Sequence, residues 1–183
     1  MSKKRTRKYI LGIDPGVSGG IAVYNQTKRM FEKPIAVKKL TPREVFDELE
    51  KIHADAQICY IERVHSMPKQ GVRTTFTFGQ NFGTYIGFLT ALKIPIVFVA
   101  PGIWQRTLGC LSKRNKNVTK QKAQELFPYL RLTHQTADAV LIAEYGRRRE
   151  RGPEPAAPEI KKNVPQPATV KPTSFAVDEA ADL

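Results

Sequence analysis

Residues 10–23 read ILGIDPGVSGGIAV, and this stretch decides the fold. The apolar run over residues 9–13 is typical of a buried central strand, and it ends at Asp14. Pro15 ends the strand pairing, and the glycines that follow allow a tight reversal before a second apolar run begins at Ile21. The pattern predicts two neighbouring strands joined by a short turn.

Asp14 is the residue of this stretch that indicates chemistry. A carboxylate at the end of a buried strand is costly unless a cation or several hydrogen-bond donors satisfy it. We therefore predict that Asp14 holds a divalent metal ion against a phosphate. The alternative is an ordinary hairpin with an Asx-type turn, in which the carboxylate only accepts hydrogen bonds from the backbone.

The composition predicts one folded domain with a polyanionic partner. The chain has 183 residues, of which 41% are apolar, and a net charge of +13. Nucleic-acid-binding, ribosomal and membrane-surface proteins share such a positive net charge. We predict a basic arm at 1–8, a folded domain at 9–151 and a disordered, proline-rich tail at 152–183, which has a net charge of −2. Near the end of that tail, residues 174–179 are a candidate short motif for a partner protein.

Two further observations concern location. No apolar run reaches 18 residues, which predicts the absence of a membrane span. The two cysteines, Cys59 and Cys110, lack metal-ligand spacing and so predict a reducing cytosol without a zinc site.

A second carboxylate follows another predicted core strand. Residues 57–63 read QICYIER, and Glu62 lies at the end of their apolar alternation. Because ligands gather beyond the carboxyl ends of strands, Asp14 and Glu62 predict one shared site.

Three of the predicted helices carry informative patterns. Thr41, Pro42 and Glu44 form a capping-box start, and residues 74–93 form a long helix on which Gly79, Gly83 and Gly87 make a stripe. We expect the stripe to pack closely on the domain's own sheet; the alternative is a seam between subunits.

The last predicted helix, residues 134–149, carries His134 and Asp138 on one face, so the two side chains can reach one point. It ends in an arginine run, 147–151, which suits the helix dipole and is a candidate phosphate contact. Before it, a run of basic residues without an acid predicts a phosphate-binding surface: Lys113, Arg114, Lys116, Lys120 and Lys122.

The element order predicts an α/β, ribonuclease-H-like fold: a mixed five-stranded sheet flanked by helices. Across residues 9–147 the ordered motifs resemble the RuvC-type Holliday-junction resolvases, and residues 137–146 resemble the phage and plant-organelle branches most. The motifs are Gly12-Ile13-Asp14-Pro15-Gly16, Ser18-Gly19, Tyr60-Ile61-Glu62, Gly79-Gln80, Pro101 with Trp104, Leu108-Gly109, Lys120 and Ala137-Asp138-Ala139.

This resemblance implies a role for each matching residue. Asp14 matches the carboxylate that bridges two metal ions, Glu62 the second-strand carboxylate and Asp138 the last carboxylate. Three positions before that last carboxylate, where many bacterial members have an acid or a histidine, this chain has Gln135. We assign His134, which is similar to the histidine of the organellar branch, as the fourth ligand.

The resemblance also implies the cofactor, the substrate and the partners. Two Mg²⁺ or Mn²⁺ ions per site would support hydrolysis of a four-way DNA junction by a two-fold homodimer, giving paired symmetric nicks. Lys120 matches a basic residue near the scissile phosphate, and His65 occupies the place of a wedging aromatic residue, with Phe76 or Phe78 as substitutes. The predicted DNA contacts are His65, Lys69, Arg73, Lys113, Arg114, Lys116, Lys120 and Lys122. The expected location is the cytoplasm, at the nucleoid, or the host cytoplasm for a phage protein.

Three other classes of protein stay open. A ribonuclease acting on RNA–DNA hybrids would use nearly the same carboxylates. A sugar-kinase-like or actin-like ATPase shares the Asp-x-Gly turn, but it needs a second comparable domain that 183 residues with a tail do not supply. A non-catalytic junction-binding protein is consistent with Gln135 and is opposed by the three carboxylates and His134.

Overall fold

The computed structural model of the chain describes residues 7–63, 71–112 and 115–151. Its strands are β1 (Tyr9–Asp14), β2 (Gly20–Asn25), β3 (Met30–Phe31), β4 (Ile35–Ala36), β5 (Ala56–Glu62) and β6 (Ile96–Val99). Its α-helices are α1 (Pro42–Ile52), α2 (Val72–Ala91), α3 (Pro101–Thr107), α4 (Lys116–Leu126) and α5 (His134–Arg151), and one turn of 3₁₀ helix spans His53–Asp55. The predicted arm, except for residues 7 and 8, and the predicted tail lie outside the described residues.

The strands form one mixed sheet in the order β3-β2-β1-β5-β6. β1 pairs antiparallel with β2 and parallel with β5, which in turn pairs parallel with β6. β3 and β4 pair with opposite ends of β2, on the side away from β1, so they share one position in the sheet. The predicted α/β fold with a mixed sheet is confirmed. Residues 30–37 form two short strands instead of one continuous strand, because Pro34, which lacks a backbone N–H, lies in the gap between β3 and β4.

Helices cover both faces of the sheet. Alternation along β1 sends Ile10 to one face and Leu11 to the other. On the first face the buried residues come from α3, α4 and α5; on the second they come from α1 and α2. This arrangement leaves the carboxyl ends of β1 and β5 at one edge of the sheet, between the helical layers.

The start of α1 is as predicted. The Thr41 hydroxyl accepts a hydrogen bond from the Glu44 backbone N–H, and the Glu44 carboxylate accepts one from the Thr41 N–H at 2.7 Å. Pro42 occupies the first turn. The capping box is a local pattern, and local patterns are the ones that sequence predicts best.

α5 crosses β1 at a position that admits no side chain. A Cβ atom placed on Gly12 would collide with the Ala139 carbonyl and the Ala143 amide, both backbone groups of α5. Glycine therefore lets the helix lie directly on the central strand. Because Asp138 neighbours Ala139, the same contact fixes the height of Asp138 above the end of β1.

α2 differs from the prediction. Cβ atoms placed on Gly79, Gly83 and Gly87 would meet no heavy atom of the described residues within 4 Å. The glycine stripe does not face the sheet, so the expected packing on the sheet is wrong. The helix faces the sheet with Tyr85 and Leu89 instead. Apolar Val72 and Phe76 are also exposed, 87% and 65% respectively.

The C-terminal half of α5 contains a buried ion pair. Arg147 donates to both oxygens of Glu144, at 2.6 and 2.9 Å, and both side chains are at most 5% exposed. The Arg147 guanidinium also stacks over the Tyr24 ring. Arg147 is thus a core residue, and the predicted phosphate contact is wrong for this member of the arginine run. Within the described residues no helix is long and apolar enough to cross a membrane.

Candidate active site

Three carboxylates lie at the edge where β1 and β5 end. Asp14 is the last residue of β1 and Glu62 the last of β5, and the two strands are parallel neighbours with Ile13 opposite Ile61. Asp138 lies in the second turn of α5, above that edge. Asp14 and Asp138 each raise the pKa of Glu62, which shows that the three side chains act on one another.

Asp14 is buried and has one of its two oxygens occupied. The Gly16 backbone N–H donates to Oδ1 at 3.0 Å, so the Asx-type turn considered in the sequence is present. Burial raises the pKa of the carboxyl group, while that hydrogen bond and the nearby Lys116 lower it. The turn does not exclude a metal role, because no hydrogen bond to Oδ2 occurs among the described residues.

Glu62 is held by the chain's one tryptophan. The Trp104 indole N–H donates to Glu62 Oε1 at 2.9 Å, and Trp104 is fully buried in α3. Burial, followed by repulsion from Asp14, raises the pKa of Glu62 to about 7. An indole N–H can only donate, so Glu62 Oε1 must act as the acceptor in this hydrogen bond. The other oxygen of Glu62 is left for a ligand.

Asp138 contributes an oxygen without a partner. The Thr119 hydroxyl of α4 donates to the Lys116 carbonyl at 3.2 Å and lies close enough to Asp138 to lower the pKa of its carboxyl group. Asp138 Oδ1 is the one buried side-chain nitrogen or oxygen in the described residues that has no hydrogen bond. Burial is the largest cause that raises the pKa of Asp138. An unpaired buried carboxylate oxygen is costly, and it is the kind of atom that a cation satisfies.

Lys116, the first residue of α4, is the cation that acts on this group of acids. Its positive charge lowers the pKa of Asp14, of Glu62 and of Asp138. The Asn115 side chain caps the helix at Lys116 and so fixes where this lysine begins the first turn. Lys120 lies one turn further along α4, partly buried, and its predicted role near the scissile phosphate stays a prediction.

His134 is the first residue of α5 and is exposed. Its charge acts on Asp138, so the two residues are neighbours as the i, i+4 spacing predicts. Gln135 points its backbone carbonyl at Gly20 in β2, where a Cβ would collide with it. Whether His134 or Gln135 ligates a metal stays a prediction.

The donor set fits hard divalent cations, although it is not a closed cage. In residues 7–63, 71–112 and 115–151 no three His, Cys, Asp or Glu side chains are arranged as a ready metal-binding group. However, carboxylate oxygens are the ligands that Mg²⁺ and Mn²⁺ prefer. Asp14 and Asp138 raise the pKa of Glu62, Asp14 also raises the pKa of Asp138, and Asp138 Oδ1 is unsatisfied, so the three carboxylates form an environment that a cation would stabilise.

The predicted DNA contacts are only partly described. His65, Lys69, Lys113 and Arg114 lie outside the described residues. Arg73 is exposed in the first turn of α2, and Lys120 and Lys122 are partly buried on α4.

Sequence reasoning missed two contacts of the site. The motif of Pro101 and Trp104 supported the family resemblance, but it did not predict the hydrogen bond from Trp104 to Glu62. The two residues of that bond are 42 positions apart in the sequence. Thr119 gave no signal beyond its spacing, three residues after Lys116 on α4.

The comparisons with known proteins concern the fold. Neither a protein-family model nor a curated protein matches this chain. Among solved structures, RuvC from Thermus thermophilus in complex with a Holliday junction substrate is similar at 14% identity and a TM-score of 0.58, over 79% of this chain and 97% of that one. Another structure of RuvC from that organism is similar at 15% identity and a TM-score of 0.54, over 78% and 96%.

A third similar structure is the yeast mitochondrial Holliday junction resolvase Ydc2, with 14% identity and a TM-score of 0.49, over 82% of this chain and 84% of that one. At these identities the two RuvC structures show the architecture and not the reaction. The chain has a RuvC-like, ribonuclease-H-like fold.

Proposed function

We propose that this protein is a structure-selective endodeoxyribonuclease that resolves four-way DNA junctions by metal-dependent hydrolysis. One observation carries the proposal: three carboxylates, the buried Asp14 and the half-buried Glu62 and Asp138, act on one another at one edge of a RuvC-like sheet. The surrounding chain has a net charge of +13, which suits a polyanionic substrate. The described site of Asp14, Glu62 and Asp138 supports a role in cutting rather than in binding alone.

Each residue has a task in this proposal. Asp14, Glu62 and Asp138 would hold two Mg²⁺ or Mn²⁺ ions, with His134 as the fourth ligand. Such ions supply a hydroxide nucleophile at neutral pH and neutralise charge on the leaving oxygen.

Two further residues support the acids. Trp104 keeps Glu62 Oε1 engaged, so the orientation of that carboxylate is set before substrate arrives. Lys116 supplies positive charge beside all three acids, where a phosphodiester would bind.

We also propose that two copies act together. A four-way junction presents two symmetric strands, and a two-fold dimer presents two sites. The open glycine stripe of α2 and the exposed Phe76 support a close helix–helix contact there. A Gly83→Arg variant should be monomeric by sedimentation equilibrium, and an unchanged mass would exclude this face.

The test of activity is cleavage of a labelled synthetic four-way junction in Mg²⁺ or Mn²⁺. A linear duplex and an RNA–DNA hybrid serve as competing substrates, and Asp14→Asn serves as the inactive variant. We expect paired symmetric nicks in the junction, lost in the variant while junction binding is kept.

Two outcomes would favour a different function, and a third would contradict the assignment of the site. Preferred cutting of the hybrid would favour a ribonuclease. Tight junction binding without cutting in either metal would favour a non-catalytic binding protein. Wild-type cutting by Asp14→Asn would show that the site is misassigned.

A further inference from the structure

A groove of about 180 Å³ lies beside the carboxylates, between the turn after β1, the start of α1 and one face of α2. Its walls include apolar Val17, Val45 and Phe88. The volume is below the roughly 300–1,000 Å³ of pockets for drug-sized ligands, so it suits one base or sugar rather than a longer ligand.

The groove also contains polar groups that lack partners. Tyr85 lines it and is 5% exposed, yet its phenol O–H has no hydrogen bond among the described residues. Asn81, one turn before it on α2, also lines the groove, and no hydrogen bond of its side-chain amide occurs there either. Both side chains therefore have hydrogen-bonding groups that a ligand in the groove can engage.

The groove adjoins the proposed reaction centre. Gly16 lines it, and the same residue donates its N–H to Asp14 Oδ1 at 3.0 Å. The Asp14 charge also acts on the Tyr85 phenol. Successive nucleotides of one strand rise about 3.4 Å, so a phosphate held at Asp14 places its neighbouring nucleotide within reach of the groove.

The chemistry of the groove matches a nucleotide. Apolar walls suit the faces of a base or sugar, an amide and a phenol suit the hydrogen-bonding edge of a base, and exposed Lys38 at the rim suits a phosphate. Resting on the function proposed above, we propose that this groove binds one nucleotide of the cleaved strand next to the scissile phosphate. It thereby sets the base preference of cutting.

The first experiment uses the full chain and a library of four-way junctions with randomised bases around the exchange point. Wild type should cut a subset of sequences. Tyr85→Phe and Asn81→Ala should reduce the ratio between best and worst sequences by roughly 5- to 100-fold, which is the range for loss of a base-reading hydrogen-bond pair. Tyr145→Phe is the matched control, because Tyr145 is also 5% exposed but lies in the other core cluster. It should keep the wild-type preference.

The second experiment measures binding and does not depend on cutting. 2-Aminopurine is placed at each position flanking the exchange point, and its fluorescence is read with excess wild-type protein in a chelator. We expect a rise at one position where the base leaves the stack, and loss of that rise in Tyr85→Phe and Asn81→Ala.

The outcomes separate the two proposals. Junction cutting without base preference, no position with raised fluorescence, or equal effects of Tyr85→Phe and Tyr145→Phe would overturn the groove proposal and leave the nuclease intact. Absence of both junction binding and cutting would overturn the proposed function itself, and the groove proposal with it.

Discussion

Asp14→Asn should make the metal-free protein more stable while it removes activity. Burial and repulsion raise the pKa of Glu62 from 4.5 to about 7, and Asp14 is the second-largest cause after burial. A pKa gap of that size corresponds to roughly 3 kcal/mol at about 1.36 kcal/mol per unit, of which we assign about 1 kcal/mol to Asp14. Asparagine keeps the oxygen that accepts the Gly16 N–H, so the turn after β1 is retained.

The sign of the pH dependence follows from these shifts. The pKa of Glu62 is higher in the folded state than in the unfolded state, so between these two values the folded state binds more protons. The free energy of unfolding therefore falls as pH rises from about 4.5 to about 7. Burial raises the pKa of Asp14 and of Asp138 as well, and their contributions have the same sign. The gain from Asp14→Asn should therefore be largest above pH 7 and should shrink near pH 5.

The assay is thermal unfolding at pH 8 with a chelator and with Mg²⁺. In the chelator we expect the variant to melt about 2–4 °C above wild type, the shift that about 1 kcal/mol causes in a domain of this size. In Mg²⁺ the order should reverse, because the cation offsets the repulsion only in wild type. Asp47→Asn, at a partly exposed acid that pairs with Arg43 on α1, is the control and should change stability by less than about 0.5 kcal/mol. A variant less stable than wild type in the chelator would refute the reasoning.

Three further perturbations test the site and its support. Trp104→Phe keeps a ring but removes the donor to Glu62, so affinity for Mn²⁺ measured by calorimetry should fall about 10- to 100-fold, and unchanged affinity would exclude a positioning role. Arg147→Met removes two of the three arginine hydrogen bonds to the buried Glu144 carboxylate and leaves the one from Arg148, so it should cost roughly 1.5–3 kcal/mol in urea unfolding; a cost below about 0.5 kcal/mol would contradict this. His134→Ala should slow junction cutting far more than Gln135→Ala, and the reverse ranking would move the fourth ligand to Gln135.

The sequence predicted the features that depend on neighbouring residues. The capping box at Thr41 and the faces of β5 follow from spacing within one turn or one strand. The convergence of Asp14 and Glu62 at one edge follows from a general property of parallel strands. The predictions that were wrong concern which part of the structure a helix face packs against. Helical period shows that Gly79 and Gly83 share a face, but not whether the sheet or the solvent is opposite that face.

Contacts between distant residues had no local signal. The hydrogen bond from Trp104 to Glu62 depends on how α3 is placed against β5, which no spacing within α3 encodes. Lys116 and Lys120 lie one turn apart on one face, and only the start of α4 at Asn115 decides which of them reaches the acids.

The close contact of α5 with β1 at Gly12 has a consequence for the protein while it is being synthesised. Chains leave the ribosome N-terminal end first, at about 5–20 residues per second. A nascent chain ending before His134 carries Asp14 and Glu62, but it lacks the helix that brings the third carboxylate down onto the sheet. The three carboxylates of the candidate site are therefore brought together only after α5 has emerged and settled against Gly12, so a ribosome-bound fragment lacks the complete site.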